Sequence, residues 1–200
     1  MEEKIRGRYT EDEEQMSKLK DLWHQRECHI VGATDGGLKN TIGTSSYAAF
    51  FQGETKPIFL GYSGEHQPRP FAASTRQELR GQLGFEYCLR SLAERWGTPR
   101  GTLKLTLITD SKASIEIMEN VPRILGIKDT LKAEMDVGLE LYSVRLQNFW
   151  VHRQIMKVAS HIAEEDAPDQ VHWACNEVAD QLATEARQAL AINQLKLNTD

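Results

Sequence analysis

Apolar positions along this chain switch between a helical period and strict alternation. The opening stretch is highly charged. Within it Met16, Leu19, Leu22 and Trp23 form a narrow helical stripe behind Thr10-Glu11-Asp12-Glu13, which has capping-box spacing. His29 to Thr34 reads as a strand ending at Asp35-Gly36-Gly37, where glycines permit a turn and a close backbone approach. After the polar loop Leu38–Ser45, Ser46–Phe51 and Ile58–Tyr62 read as two further strands joined around Gly53. Three consecutive strands on short links predict an antiparallel meander.

The pattern then turns helical. A loop, Glu65–Ala73, carries Pro68 and Pro70, and Ser74 or Thr75 caps a helix running to about Trp96, where Gly97 and Pro99 stop it. Leu103–Thr109 is a short apolar, β-branched strand that delivers Asp110 to its end. A helix follows over Ser111–Glu119, ended by Asn120-Val121-Pro122, and a longer one from Asp129 to about Asn148. Gln154–Ala159 is the last strand, closing on Ser160-His161, and a final helix runs from about Trp173 to Ala191. The order βββαβααβα predicts an α/β fold: a mixed five-stranded sheet with helices on both faces. The expected division is a charged helical connector over 1–27, one domain over 28–191 and a disordered tail over 192–200.

Composition narrows the class. The chain has 200 residues, 40% hydrophobic and 26% charged, which suits one ordinary globular domain with some extra at an end. Cys28, Cys88 and Cys175 lie far apart, which argues against a disulfide framework or a zinc site and fits a reducing intracellular compartment. No apolar run approaches the ~20 residues that span a bilayer, and Met1-Glu2-Glu3-Lys4 does not read as a signal peptide. A net charge of −5 gives no general attraction to a polyanion, so metal ions or an attached basic module must offset the repulsion.

Four acids fall at comparable places: Asp35 and Asp110 at strand ends, Glu78 in the opening turn of the first core helix, and Asp180 in the last helix. Each has a plainer reading alone: a turn for Asp35, a cap for Asp110 with Ser111, a helix-dipole interaction for Glu78, a solvated face for Asp180. Converging at one sheet rim, they could not all stay ionised without counter-charge. Hard divalent cations resolve that conflict, and two of them about 3.5–4 Å apart clamp a phosphodiester for attack by water.

Five segments in order resemble the signatures of type 1 ribonuclease H: Thr34-Asp35-Gly36-Gly37, Arg76-Gln77-Glu78-Leu79, Thr109-Asp110-Ser111, Ser160-His161, and Asn176 through Ala183. The resemblance runs from about Cys28 to Ala189. The approach to Glu78 and the long His161-to-Asn176 interval look most like the domains attached to retroelement reverse transcriptases. It implies a ribonuclease H-like fold and an endoribonuclease that cleaves the RNA of RNA–DNA hybrids with two Mg²⁺ ions, Mn²⁺ being possible. Asp35 would bridge both ions, Glu78 and Asp110 hold the second, and Asp180 the first. His161 would assist proton transfer or product departure. Ser74, Thr75 and the backbone at Gly36 and Gly37 would approach the RNA strand, and Asn176 would support the site.

The sequence also departs from that pattern. Gly37 stands where many members carry Ser or Ala, and Ser111–Lys157 holds seven Lys/Arg against six acids, no basic handle. A weakly binding domain attached to a polymerase is the natural inference. Two other functions stay open: a catalytically inactive scaffold of a polymerase, and a DNA-acting integrase or transposase type nuclease on the same fold.

Overall fold

Strand alternation, with glycine, serine and threonine placed where elements crowd, builds the centre of the molecule. The computed structural model of the chain describes residues 7–25, 28–66, 73–124, 135–159 and 162–197. Strands β2 (His29–Lys39), β3 (Ile42–Phe51) and β4 (Pro57–His66) form an antiparallel meander. Asn40 and Thr41 join the first two strands with φ of 50° and 67°, the left-handed geometry of a two-residue hairpin. All three strands run past the apolar segments visible in the sequence, because polar pairs such as Asp35↔Ser46 and Gly37↔Thr44 keep the ladder going.

β5 (Leu103–Thr109) pairs parallel to β2, and β6 (Val151–Lys157) parallel to β5. The five-strand expectation needs one correction. β1 (Arg8–Glu11) pairs antiparallel with β4, giving a six-stranded sheet of order β1-β4-β3-β2-β5-β6. Four residues are too few to show a period, and the free edge of β4 supplies the hydrogen-bond partners.

The charged segment expected as a helical connector over 1–27 packs on the domain where it is described. Asp12 caps helix α1 (Glu13–Leu22) by accepting from the Gln15 amide at 3.0 Å. Met16, Leu19 and Trp23 are buried in the main core. Trp23 packs edge-on between Trp96 and Trp150, with ring centroids at 5.4 and 5.3 Å, and donates its indole N–H to the Gly97 carbonyl at 2.8 Å. Each fully buried apolar side chain is worth roughly 1.5–3 kcal/mol, so even a narrow stripe docks the helix.

Helix α2 (Ser74–Trp96) lies with α1 on one face of the sheet, where Phe85, Leu89 and Leu92 meet Ile30, Ala49, Leu105 and Leu107. α3 (Lys112–Ile124) and α4 (Met135–Gln147) pack on the outer side of α2 through Leu79, Leu83, Met118 and Leu141. α3 continues through Pro122, where the sequence pattern ended it. Of the longer helix read from Asp129, residues 129–134 lie outside the described set.

A 3₁₀ turn, Glu164–Asp166, precedes α5 (Gln170–Leu197), which covers the opposite face with Cys175, Ala179 and Leu182 against Val31, Ala33, Ala48 and Ile108. The tail read as disordered is helical as far as Leu197. Among the described residues no helix is long and apolar enough to cross a membrane.

Candidate metal centre

Register decides which acids meet. Ala33 on β2 is level with Ile108 on β5, and both face α5. Two residues further on, the same face carries Asp35 and Asp110, side by side at the end of the parallel pair. Glu78 arrives from the other layer. It sits one turn into α2, past the opening turn in which the sequence placed it, and a Cβ built on Gly36 would lie 2.2 Å from the Glu78 nitrogen and 2.3 Å from the Gln77 carbonyl carbon. Only a glycine lets the helix start press this closely on the strand.

One oxygen from each of Asp35, Glu78 and Asp110 lies within 4.8 Å of the others. Glu78 is 6% exposed, while Asp35 and Asp110 are half-buried. Burial, then the charges of Asp35 and Asp110, push the Glu78 carboxyl up to about 9, against the lowering pull of the Gly36 backbone and Thr109 hydroxyl hydrogen bonds. Burial, then Asp110 and Asp180, raise Asp35 to about 6, opposed by the Gly36 backbone hydrogen bond and the charge of Arg187. The arrangement disfavours its own negative charge unless a cation is present. Its donors are all hard carboxylate oxygens, with no Cys or His among the three, so they fit Mg²⁺ or Mn²⁺ and not a soft metal.

Asp180 is half-buried on α5, a helix pinned to β3 where the Ser46 hydroxyl donates to the Ala179 carbonyl at 2.6 Å. It stands outside the three-acid group, yet near enough for its charge to act on Asp35. Asn176, one turn earlier on α5, is 3% exposed, and its buried Oδ1 has no partner among the described residues.

Asp110 is held by the turn around it. The Ser111 amide donates to the Thr109 hydroxyl at 3.2 Å, and the Ser114 amide to the Ser111 hydroxyl at 3.2 Å. The Gln82 amide donates to the Ser114 hydroxyl at 3.0 Å, tying α2 to α3 one turn past Glu78. Deeper still, buried Glu86 accepts from Arg153 at 2.7 and 2.8 Å and from Asn148 at 2.9 Å, fastening α2 to the start of β6. Thr109 and Ser111 stood in a signature segment, but Gln82, Glu86, Ser114, Asn148 and Arg153 were not singled out as supports, because polar residues that meet across separate elements carry no periodic signal.

The other expected residues distribute unevenly. Gly36 serves the carboxylates through its backbone and is covered by α2. Gly37 faces α5 beneath the guanidinium of Arg187, a residue the sequence offered only as a possible partner of Asp180. Ser74 and Thr75 open α2, but the N-cap is Ala73, which makes no side-chain cap bond, so neither hydroxyl holds the capping position expected of it. Ser160 and His161 lie outside the described residues.

No protein-family model and no curated protein sequence matches the chain. Solved structures do. One is the N-terminal RNase H domain of a Mycobacterium tuberculosis protein, at TM-score 0.53 and 16% identity, covering 84% of this chain and 99% of that one. Another is LC11-RNase H1 in complex with an RNA/DNA hybrid, at TM-score 0.53 and 12% identity, covering 80% of this chain and 99% of that one. A third is the prototype foamy virus protease-reverse transcriptase, at TM-score 0.50 and 15% identity, covering 82% of this chain but 21% of the viral one. The chain has the ribonuclease H fold.

Proposed function

We propose that the chain is a metal-dependent endoribonuclease that hydrolyses the RNA strand of RNA–DNA hybrids, the ribonuclease H domain of a reverse transcriptase. The observation that carries this reading is the meeting of Asp35, Glu78 and Asp110 within 4.8 Å from three separate segments, on a fold shared with ribonucleases H. Burying Glu78 among like charges serves no structural purpose, since a neutral residue would fill that space more stably. The hybrid in the LC11 complex and the polymerase context of the foamy virus protein support the choice of substrate and partner.

Asp35 and Asp180 would hold one Mg²⁺ ion, and Asp35, Glu78 and Asp110 a second. Bound there, the two ions would supply a Lewis-acidic clamp and an activated water. The chain's own contribution is geometric. Gly36 admits α2 so that Glu78 reaches the rim, and Thr109, Ser111 and Ser114 fix the Asp110 turn. His161 is assigned proton transfer or product departure on its near-neutral chemistry. Ser74, Thr75 and the backbone at Gly36 and Gly37 are assigned to the RNA strand, where a 2′-hydroxyl marks the substrate.

Incubation with end-labelled hybrid and Mg²⁺ tests the reading. Internal cuts in the RNA alone, lost in EDTA, are expected. Equal cutting of duplex DNA would favour the integrase-like alternative, and absence of cutting with intact hybrid binding would favour the scaffold.

A further inference from the structure

The α5 face of β2 continues beyond Asp35, and what it carries is cationic. Residues 31, 33, 35, 37 and 39 share that face, and same-face positions lie about 7 Å apart along a strand, a step comparable to that between neighbouring phosphates of one nucleic-acid strand. At the next step stands Gly37, and a Cβ there would lie 2.9 Å from Arg187 Nη2 and 3.8 Å from the Thr44 hydroxyl oxygen. The step after that is Lys39, exposed beside the hairpin turn.

Small residues at one level of three adjacent strands make room for the end of α5. Gly37 pairs with Thr44 and Thr44 with Gly64, where an added Cβ would lie 2.3 Å from Leu190 Cδ1. Arg187 is seven residues after Asp180 and so on the same side of α5. Its guanidinium is thereby laid across the Gly37–Thr44 pair, directly beyond the acids.

That guanidinium is not consumed internally. Among the described residues, neither Arg187 nor Lys39 has a carboxylate at ion-pairing distance. Arg187 Nε and the Thr44 hydroxyl are both buried without a hydrogen-bond partner among the described residues, and Thr44 is fully buried. The charge of Arg187 reaches Asp35 without closing an ion pair, and Lys39 is exposed, so both cations can still meet an anion from outside.

We infer that Arg187, over Gly37, and Lys39 form a phosphate track that holds the nucleic-acid backbone on the side of the centre away from Glu78. This rests on the proposed nuclease reading and adds the direction in which the bound strand leaves the acids. A planar guanidinium suits phosphate oxygens, and Lys39 adds a point charge one step on.

The test is hybrid affinity against salt from about 50 to 200 mM, in an Asp110→Asn background that blocks cleavage. One phosphate contact contributes a log–log slope of about 0.9, equal to about eightfold in affinity at 0.1 M salt relative to 1 M. Arg187→Gln should lose about that much of slope and affinity, Arg187→Lys should keep the slope, and Lys39→Ala should remove a second increment. Unchanged slope and affinity in Arg187→Gln, with melting temperature retained, would overturn the track and leave Arg187 a counter-charge for Asp35. Duplex DNA serves as the second ligand. If the wild-type chain neither prefers nor cuts hybrid, the nuclease reading falls, while loss of slope on DNA in Arg187→Gln still supports the phosphate contact and an unchanged slope on DNA refutes it.

Discussion

Replacing Glu78 by Gln should make the metal-free protein more stable at alkaline pH while abolishing cleavage. In the folded state the Glu78 carboxyl is pushed from 4.5 up to about 9, so between those values the folded chain holds a proton that the unfolded chain has released. Stability is therefore full below about pH 4.5 and falls as pH rises toward 9, at up to about 1.4 kcal/mol per pH unit. Asp35, raised from 3.8 to about 6, adds a loss of the same sign over a lower window. At pH 7.5, three units above the unfolded value of Glu78, the upper bound is about 4 kcal/mol. Taking half of it for relaxation of the three-acid group leaves about 2 kcal/mol, or roughly 4–8 °C in melting temperature for a chain of this size.

The assay is urea unfolding in EDTA at several pH values. Wild type should lose stability steadily from pH 6 to 8.5, and Glu78→Gln should be nearly flat over that interval. Saturating Mg²⁺ should remove most of the wild-type slope, because bound cations reward the ionised carboxylates. Parallel pH profiles for the two proteins, or a Gln variant less stable than wild type at pH 8, would refute the claim that Glu78 is held against its preferred charge.

Gly36→Ala should cost about 1–3 kcal/mol and most of the cleavage, since the added methyl meets backbone of α2. Gly37→Ala meets only the flexible end of Arg187 and should cost less, so equal urea midpoints for the two would contradict the packing argument. Asp110→Asn should keep the fold and abolish cleavage, whereas His161→Ala should slow turnover without ending it; equal losses in steady-state rate would remove His161 from a secondary role. Trp23→Ala should destabilise by about 3–5 kcal/mol, because Trp23 is buried between Trp96 and Trp150. A purely connecting helix would show no change in unfolding midpoint.

Residue order carried much of this protein by itself. Alternation around Val31, Ala33, Leu105 and Leu107 marked the central strands, and the spacing of Leu79, Leu83, Leu89 and Leu92 marked the long helix, because each period is written into neighbours a few residues apart. The acids at element ends were visible for the same reason. What tertiary structure decided is everything that depends on contacts between distant segments. The β2–β5 register sets Asp35 beside Asp110, and the α2 contact at Gly36 brings Glu78 to them. Pairing with β4 turned residues 8–11 into a sixth strand, and three tryptophans drew α1 into the core. Arg187 reaches Gly37 only because small residues line three strands at one level, and no local pattern records which side chain fills a gap that another strand leaves open.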